Sequence, residues 1–141
     1  MFEFARSASA QAPDGHSVHK VIALAHIERW LSLPRESADG KARQQAYFAN
    51  RLFREEVNRA ADTCVRSAAY AESLFTPADR NAFAMCFWLM RDYNAQLEQM
   101  GQIGSLIEAI PWQYLGDPAR AYERARATAM QATSQAGQRS R

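Results

Sequence analysis

The sequence predicts an all-α fold, a single-domain bundle of four to five helices, and three observations favour this class. The chain has 141 residues, 48% apolar and 23% charged, which is typical of one globular domain. Only six glycines and five prolines occur, and most of them stand at the ends of periodic segments, as helix breakers do. The third observation is a long apolar periodicity of the helical type in the middle of the chain.

The N-terminal part predicts an arm followed by a helix. Residues 1–13 carry no clear pattern and are expected to form a flexible arm held by Phe2 and Phe4. A first helix is predicted from about Ser17 to Leu33, because Asp14 or Ser17 can cap it and Pro34 follows its end. Its apolar residues point almost all around the helix, which indicates a helix packed between neighbours.

The clearest pattern predicts one long helix over about residues 41–75. Apolar residues at steps of 4, 3 and 4 form a stripe that repeats every eleven residues, without Gly or Pro. Such a repeat keeps a stripe nearly straight along a helix. The stripe narrows between Asn58 and Ser67, where we expect any bend. Its residues are Ala42, Ala46, Ala49, Phe53, Val57, Ala60, Cys64, Ala68, Ala71 and Phe75.

A second, highly apolar helix is predicted over about residues 77–100. Pro77 suits the first helical position, and the stretch "AFAMCFWLM" at 82–90 has no β-branched residue. We interpret this stretch as the buried centre of a helix.

The remaining chain predicts an aromatic loop, a last helix and a tail. The loop carries Trp112 and Tyr114, and the last helix runs to about Gln131. Residues 14–131 then make up the helical domain, and residues 132–141 a disordered basic tail.

Charge is concentrated at the C-terminal end. The net charge is +2, but residues 118–141 hold five arginines and one acidic residue. Arginines in this arrangement can contact nucleic-acid phosphates or an acidic partner. A solvated helix and tail explain the same pattern without any ligand. The candidate contacts are Arg120, Arg124, Arg126, Arg139 and Arg141.

All three histidines lie within residues 16–26, which raises the question of a metal-dependent enzyme. His16 and His19 can share a helix face, but His26 lies about 10.5 Å further along the axis than His19. One ion cannot bind both at coordination distance, and no H-E-x-x-H, E-x-x-H or C-x-x-C motif occurs. We therefore predict no metal, no cofactor and no catalytic residue, with polar side chains too scattered to form a reaction centre.

Four residues are candidates for a protein interface. Trp112 and Tyr114 belong to residue types that often anchor interfaces, although either can equally cover a core. His19 and His26 are predicted to be partly buried or to lie at a contact surface.

The cysteines and the apolar segments indicate a cytoplasmic protein. Cys64 and Cys86 each lie in a helical apolar pattern, which favours buried free thiols in a reducing compartment. No apolar run approaches the ~18 residues of a membrane span, and none precedes the small-residue stretch "ARSASAQA" as a signal peptide requires.

Two segments resemble phasins, the amphipathic helical proteins that coat polyester granules. They are "YAESLF" at 70–75 and "DPARAYERARATAMQA" at 117–132. The resemblance implies a granule- or surface-associated amphipathic helical protein, and it assigns no site residues.

Three functions are therefore expected, in order. The first is non-enzymatic, stoichiometric binding of another protein or of a second copy by helical packing, as in a bacterial adaptor, an inhibitor, or an immunity or phage-defence component. The second is a small basic subunit that binds nucleic-acid backbone through the C-terminal arginines. The third is the granule-associated protein, and a metal enzyme using His16 and His19 is the least favoured.

Overall fold

The computed structural model describes every residue from Met1 to Arg141 and contains helices and turns but no strand. The all-α prediction is confirmed, but the α-helices number eight instead of four to five. Short 3₁₀ turns lie at Ser17–His19 and Gln113–Leu115. None of the helices combines the length and the apolar character that a membrane crossing requires. The helices are α1 (Phe2–Gln11), α2 (Lys20–Leu31), α3 (Ala38–Tyr47), α4 (Arg51–Thr63), α5 (Thr76–Leu89), α6 (Tyr93–Ile103), α7 (Ala109–Trp112) and α8 (Pro118–Arg139).

The chain forms two compact units, Met1–Ser73 and Leu74–Arg141. In the first unit, α1 occupies the segment predicted as a flexible arm. Phe2 lies edge-on to the His26 ring at a centroid distance of 4.8 Å, as expected for an anchoring residue, whereas Phe4 is exposed.

The turn after α1 depends on a glycine. The Gly15 N–H donates to the carbonyl oxygen of Thr63 at 2.7 Å, and φ is +83°. A Cβ at this position would lie 2.4 Å from the carbonyl carbon of Ala69. Only glycine fits here, because larger residues rarely adopt this φ and would collide with that backbone.

The prediction of one helix over residues 41–75 is wrong, because the chain contains stronger helix ends than the apolar stripe suggests. α3 ends at Tyr47, and the side chain of Asn50 accepts the N–H of Leu52 at 2.9 Å to begin α4. α4 ends at Thr63, within the interval where a bend is expected. Asn and Ser side chains bind nearby backbone groups and so favour helix ends over interiors.

The alanines of the stripe also contribute little to the core. Only Val57, Ala60 and Cys64 of the ten stripe residues are buried. Burial free energy scales with the apolar area removed from water, and a methyl side chain offers little area. The stripe therefore stabilises α4. Its small buried area does not stabilise one continuous helix enough to outweigh the helix ends that the capping residues favour.

In the second unit, the helix predicted over residues 77–100 is two helices. Arg91 has a φ of 58°, and the carboxylate of Asp92 accepts the N–H of Ala95 at 3.2 Å to begin α6. Arg80 of α5 donates to Gln99 of α6 at 3.0 Å, so the two helices form a hairpin. The predicted burial is confirmed for residues 82–87, which are all at most 1% exposed, and for Met90, whereas Trp88 and Leu89 are partly exposed.

α8 packs against α6 and α7 and extends further than predicted. Its buried residues are Ala121, Tyr122, Ala125 and Ala129, a spacing that places them on one helix face. The helix continues to Arg139, through the segment predicted as a disordered tail, and every residue from Ser134 onwards is exposed.

Candidate functional site

The three histidines do not converge on one point. His16 accepts the N–H of Val18 and caps a 3₁₀ turn. The Nε2–H of His19 donates to the carbonyl oxygen of Pro13 at 2.9 Å, and the hydroxyl of Ser9 lies 2.8 Å from its Nδ1. No three His, Cys, Asp or Glu side chains are placed to hold one metal ion.

The third histidine belongs to a polar cluster that joins four helices. Nε2 of His26 on α2 lies 3.0 Å from a carboxylate oxygen of Glu56 on α4, and Nδ1 lies 2.9 Å from the hydroxyl of Tyr47 on α3. Arg6 on α1 completes the cluster, because it donates two hydrogen bonds to the Glu56 carboxylate, at 2.6 and 3.0 Å. We call these four residues the His26 cluster.

Burial and charge determine the proton positions in the His26 cluster. His26 is fully buried, and burial lowers its pKa from the usual 6.5 despite the opposing hydrogen bond with Glu56. The hydrogen bonds from Arg6 lower the pKa of the Glu56 carboxyl, and His26 adds to this effect. A neutral imidazole that donates from Nε2 to a carboxylate must accept at Nδ1, so the Tyr47 hydroxyl is the donor there.

The expectation that polar side chains are too scattered to form a centre is wrong for these residues. Tyr47, His26 and Glu56 form a hydroxyl–imidazole–carboxylate series, the arrangement that activates nucleophiles in many enzymes. Here, however, the imidazole is fully buried, and the rings of Phe2, Phe48 and Phe53 surround it at centroid distances of 4.8, 6.3 and 5.3 Å. In this arrangement no atom of the imidazole is exposed to a substrate.

A cleft of about 510 Å³ opens beside the His26 cluster in the first unit. Arg6 and Glu56 line one part of it, and Asp14 and Arg59 also face it. Its lining charges sum to zero, because it holds two arginines and two carboxylates. His19 is also part of the lining, so a molecule in the cleft would meet Glu56 and His19 rather than His26.

The aromatic candidates occupy different environments in the second unit. Trp112, predicted as a possible interface residue, is fully buried: its indole N–H donates to Asn81 at 2.8 Å, and its ring packs against Tyr122. Tyr114 is 39% exposed, together with Leu106 and Ile110 at 62% and 51%. His19 and His26 are buried as well, so Tyr114 is the candidate interface residue that presents surface.

All five candidate arginines are exposed, but they do not form one stripe. Arg120 and Arg124 lie one turn apart on α8, whereas Arg126 points about 200° around the helix from Arg124. Arg126 lies 3.8 Å from Glu123, and Arg124 donates to the carbonyl oxygen of Leu115 at 3.2 Å. Arg139 ends α8, and Arg141 ends the chain.

Both cysteines are buried free thiols, as predicted. Complete burial raises the pKa of the Cys86 thiol well above its usual range. Since the thiolate is the reactive form, this cysteine is poorly suited to nucleophilic chemistry.

Comparison with known proteins adds no relative. No protein-family model, no curated protein and no solved structure matches this chain significantly.

Sequence reasoning missed Arg6, Tyr47 and Glu56. Glu56 lies three residues after Phe53 and four before Ala60. This spacing places it at the edge of the α4 stripe, so the sequence does indicate that Glu56 lies close to the core. His26 lies on a helix that is apolar all around, and a buried imidazole needs hydrogen-bond partners. That requirement indicates a polar partner, but Glu56 is 30 residues away in sequence, and one sequence cannot identify it.

Proposed function

We propose that this chain acts by stoichiometric binding of another protein, as an adaptor or inhibitor. The supporting observation is the exposure of Leu106, Ile110 and Tyr114 within residues 106–114 of the second unit. Large apolar and aromatic side chains exposed close together are typical of protein-binding surfaces. We call residues 106–114 the apolar segment.

The apolar segment is held in place by the core beneath it. The Asn81 side chain accepts the Trp112 indole N–H at 2.8 Å and donates to the Leu106 carbonyl oxygen at 3.1 Å. Trp112 is fully buried and also packs against Tyr122. A segment ordered before binding loses little conformational entropy when a partner arrives, which favours affinity.

Charge indicates the chemistry of the partner. Glu108 is exposed and lies between Leu106 and Ile110 in sequence. We therefore expect the partner to have an apolar surface with a basic side chain that lies opposite the Glu108 carboxylate. The protein partner we propose presents such a surface.

The His26 cluster supports a structural role better than a catalytic one. The His26 ring is fully buried, and three phenylalanine rings surround it. Its four members come from four different helices of the first unit, which is the arrangement expected of a polar contact that fixes helix positions.

To test this function, a partner that co-purifies with the native protein is isolated, and its binding to the purified chain is measured. We expect a complex of fixed stoichiometry by size-exclusion chromatography with light scattering. Leu106→Asp should weaken the affinity about tenfold or more, because it places a charge in an apolar contact. Leu52→Asp is the matched control, since Leu52 is 65% exposed and lies in the first unit. Equal affinities for both variants would contradict the use of the apolar segment, and the lack of any stoichiometric partner would contradict the function.

A second candidate function is binding to nucleic-acid backbone through α8. The observation that favours it is the exposure of Arg120 and Arg124 one turn apart. If all five arginines contact phosphates, removing the chain after Gln131 should lower the slope of log affinity against log salt by about two, for Arg139 and Arg141. An unchanged slope would exclude those two residues from the contact.

A further inference from the structure

A groove of about 480 Å³ lies between α6 and α8 in the second unit. Its floor is apolar, with Leu97 and Met100 from α6 and Tyr122 from α8. Met130 borders it and is 51% exposed, and Glu123 and Arg126 border it as the charged residues. The groove is distinct from the apolar segment, and none of the residues that line it is Leu106, Ile110 or Tyr114.

Two glycines leave open space above α6 in this groove. A Cβ built at Gly101 or Gly104 would have no heavy atom within 4 Å. Gly104 ends α6 with a φ of +60°, which accounts for glycine there. Gly101 lies inside the helix, where glycine costs about 1 kcal/mol relative to alanine, and no neighbour within this chain requires it. The missing side chains form a pit that another molecule can enter.

We propose that a second copy of this chain occupies the groove across a two-fold axis. Such an interface needs one surface that complements itself, because each residue pair occurs twice. The groove combines a pit at Gly101 and Gly104 with a protruding methionine at position 130. Methionine is unbranched and flexible, so its side chain can adapt to an irregular pit. Each copy can therefore insert Met130 above the glycines of the other.

The charges at the groove are self-complementary in the same way. Glu123 and Arg126 lie three residues apart on α8, and their side chains are 61% and 50% exposed. Their mutual contact is long, at 3.8 Å. A two-fold axis that crosses α8 between them places Glu123 of each copy opposite Arg126 of the other. One acid and one base also give no net attraction for a polyanion, which favours a second copy over nucleic acid in this groove.

The oligomeric state of the full chain tests this proposal. We expect a reversible dimer by sedimentation equilibrium at concentrations up to about 100 μM, the range of a modest interface. Glu123→Arg or Arg126→Glu alone should raise the dissociation constant about tenfold, because each places like charges opposite each other. The double variant restores opposite charges and should return the dissociation constant to near the wild-type value. Arg120→Glu is the matched control, because Arg120 does not line the groove.

Filling the pit provides an independent test. Gly101→Leu should prevent dimerisation, while thermal unfolding of the variant monomer should occur at the same or a higher temperature, because leucine favours a helix more than glycine does. A wild-type chain that stays monomeric would overturn the proposal, as would a dimer that neither Gly101→Leu nor the charge reversals weaken. Leu106→Asp should leave the dimer unchanged, so this result is separate from the proposed binding of another protein.

Discussion

At the residue scale, Glu55 and Glu56 are neighbours on one helix but have different environments, since Glu55 lies on the surface and Glu56 contacts the buried His26. Glu55 pairs with Arg51 at 3.2 Å, and both side chains are largely exposed, at 46% and 85%. Glu56 is rotated by about 100° on the same helix. It contacts Arg6 and His26, and its side chain is only 17% exposed. Adjacent residues on a helix do not face each other, so the two carboxylates diverge, but the sequence does not show which residues Glu56 contacts.

We expect Glu56→Gln to lower the free energy of unfolding by about 1–3 kcal/mol, because it weakens hydrogen bonds at a largely buried position. Glu55→Gln should cost less than about 0.5 kcal/mol, as is usual for exposed i,i+4 pairs. Urea unfolding at neutral pH measures both values. Equal losses would mean that the His26 cluster contributes no more than a surface ion pair.

The pKa shifts of the His26 cluster predict that acid destabilises the protein in two stages. The lowered pKa of His26 means that the unfolded chain binds a proton more readily, so its contribution is complete above pH 6.5, its usual pKa, and decreases below that value. The lowered pKa of Glu56 gives a contribution that is complete above its usual 4.5 and is lost as the pH falls through the folded-state pKa.

Urea unfolding measured between about pH 8 and about pH 2 checks both signs. The free energy of unfolding should fall with each step of acidification. His26→Phe keeps an aromatic ring but removes the titrating group, so this variant should lose the part of the slope that begins near the usual histidine pKa of 6.5. If the slope in that range is the same with and without His26, another group is responsible for it.

At the scale of the elements, apolar periodicity predicts burial better than it predicts helix boundaries. The stretch at residues 82–90 is predicted as a buried helix centre because every position is apolar. It is helical and buried through residues 82–87, but it forms the C-terminal half of α5 instead of a helix centre. The stripe predicts a helix over residues 41–75 that continues through Asn50, because the alanines on both sides fit the pattern. Capping by Asn50 favours a new helix at this residue, whereas the stripe favours one continuous helix. Which of these is more stable depends on packing that a sequence does not show.

Asn50→Ala distinguishes a helix that begins at Asn50 from a continuous helix, because the free energy of unfolding should change in opposite directions. In the structure, Asn50 caps α4, so alanine should lower the free energy of unfolding by about 1 kcal/mol. In a continuous helix, alanine would instead raise it by about 0.5 kcal/mol, because alanine has the higher helix propensity. Chemical denaturation measures the sign, with Asn94→Ala at an exposed position of α6 as the control. Stabilisation by Asn50→Ala would favour the continuous helix.

At the scale of the whole molecule, composition and periodicity were enough to predict the helical class, whereas the candidate site required contacts between distant residues. Arg6 and Glu56 are separated by 50 residues, and neither lies in a recognisable motif. The sequence favours neither core nor surface for Trp112, because its neighbours in sequence are both polar and apolar. Its burial depends on Asn81 and Tyr122, which belong to other helices. Long-range pairing of this kind is the information that a single sequence lacks.

Amide hydrogen exchange along the full chain tests how stability is distributed over the molecule, including the flexible arm and the disordered tail expected from the sequence. Exchange is slow where backbone hydrogen bonds are buried and fast where few apolar contacts hold a segment. We expect the slowest exchange in residues 82–87, which are almost fully buried. Residues 134–141 should exchange fastest, because all of them are exposed.

α1 is the informative segment in this experiment. Ala5 is the one buried residue of α1. Three other residues anchor the helix: Phe2 contacts α2, Arg6 contacts α4, and Ser9 contacts the 3₁₀ turn that precedes α2. These contacts predict protection of α1 intermediate between residues 82–87 and the C-terminal end. Glu56→Gln should reduce this protection, because it weakens the bond from Arg6, whereas Glu55→Gln should leave it unchanged. Exchange in α1 as fast as in residues 134–141 would instead support a flexible arm, and the polar contacts would then be too weak to order it.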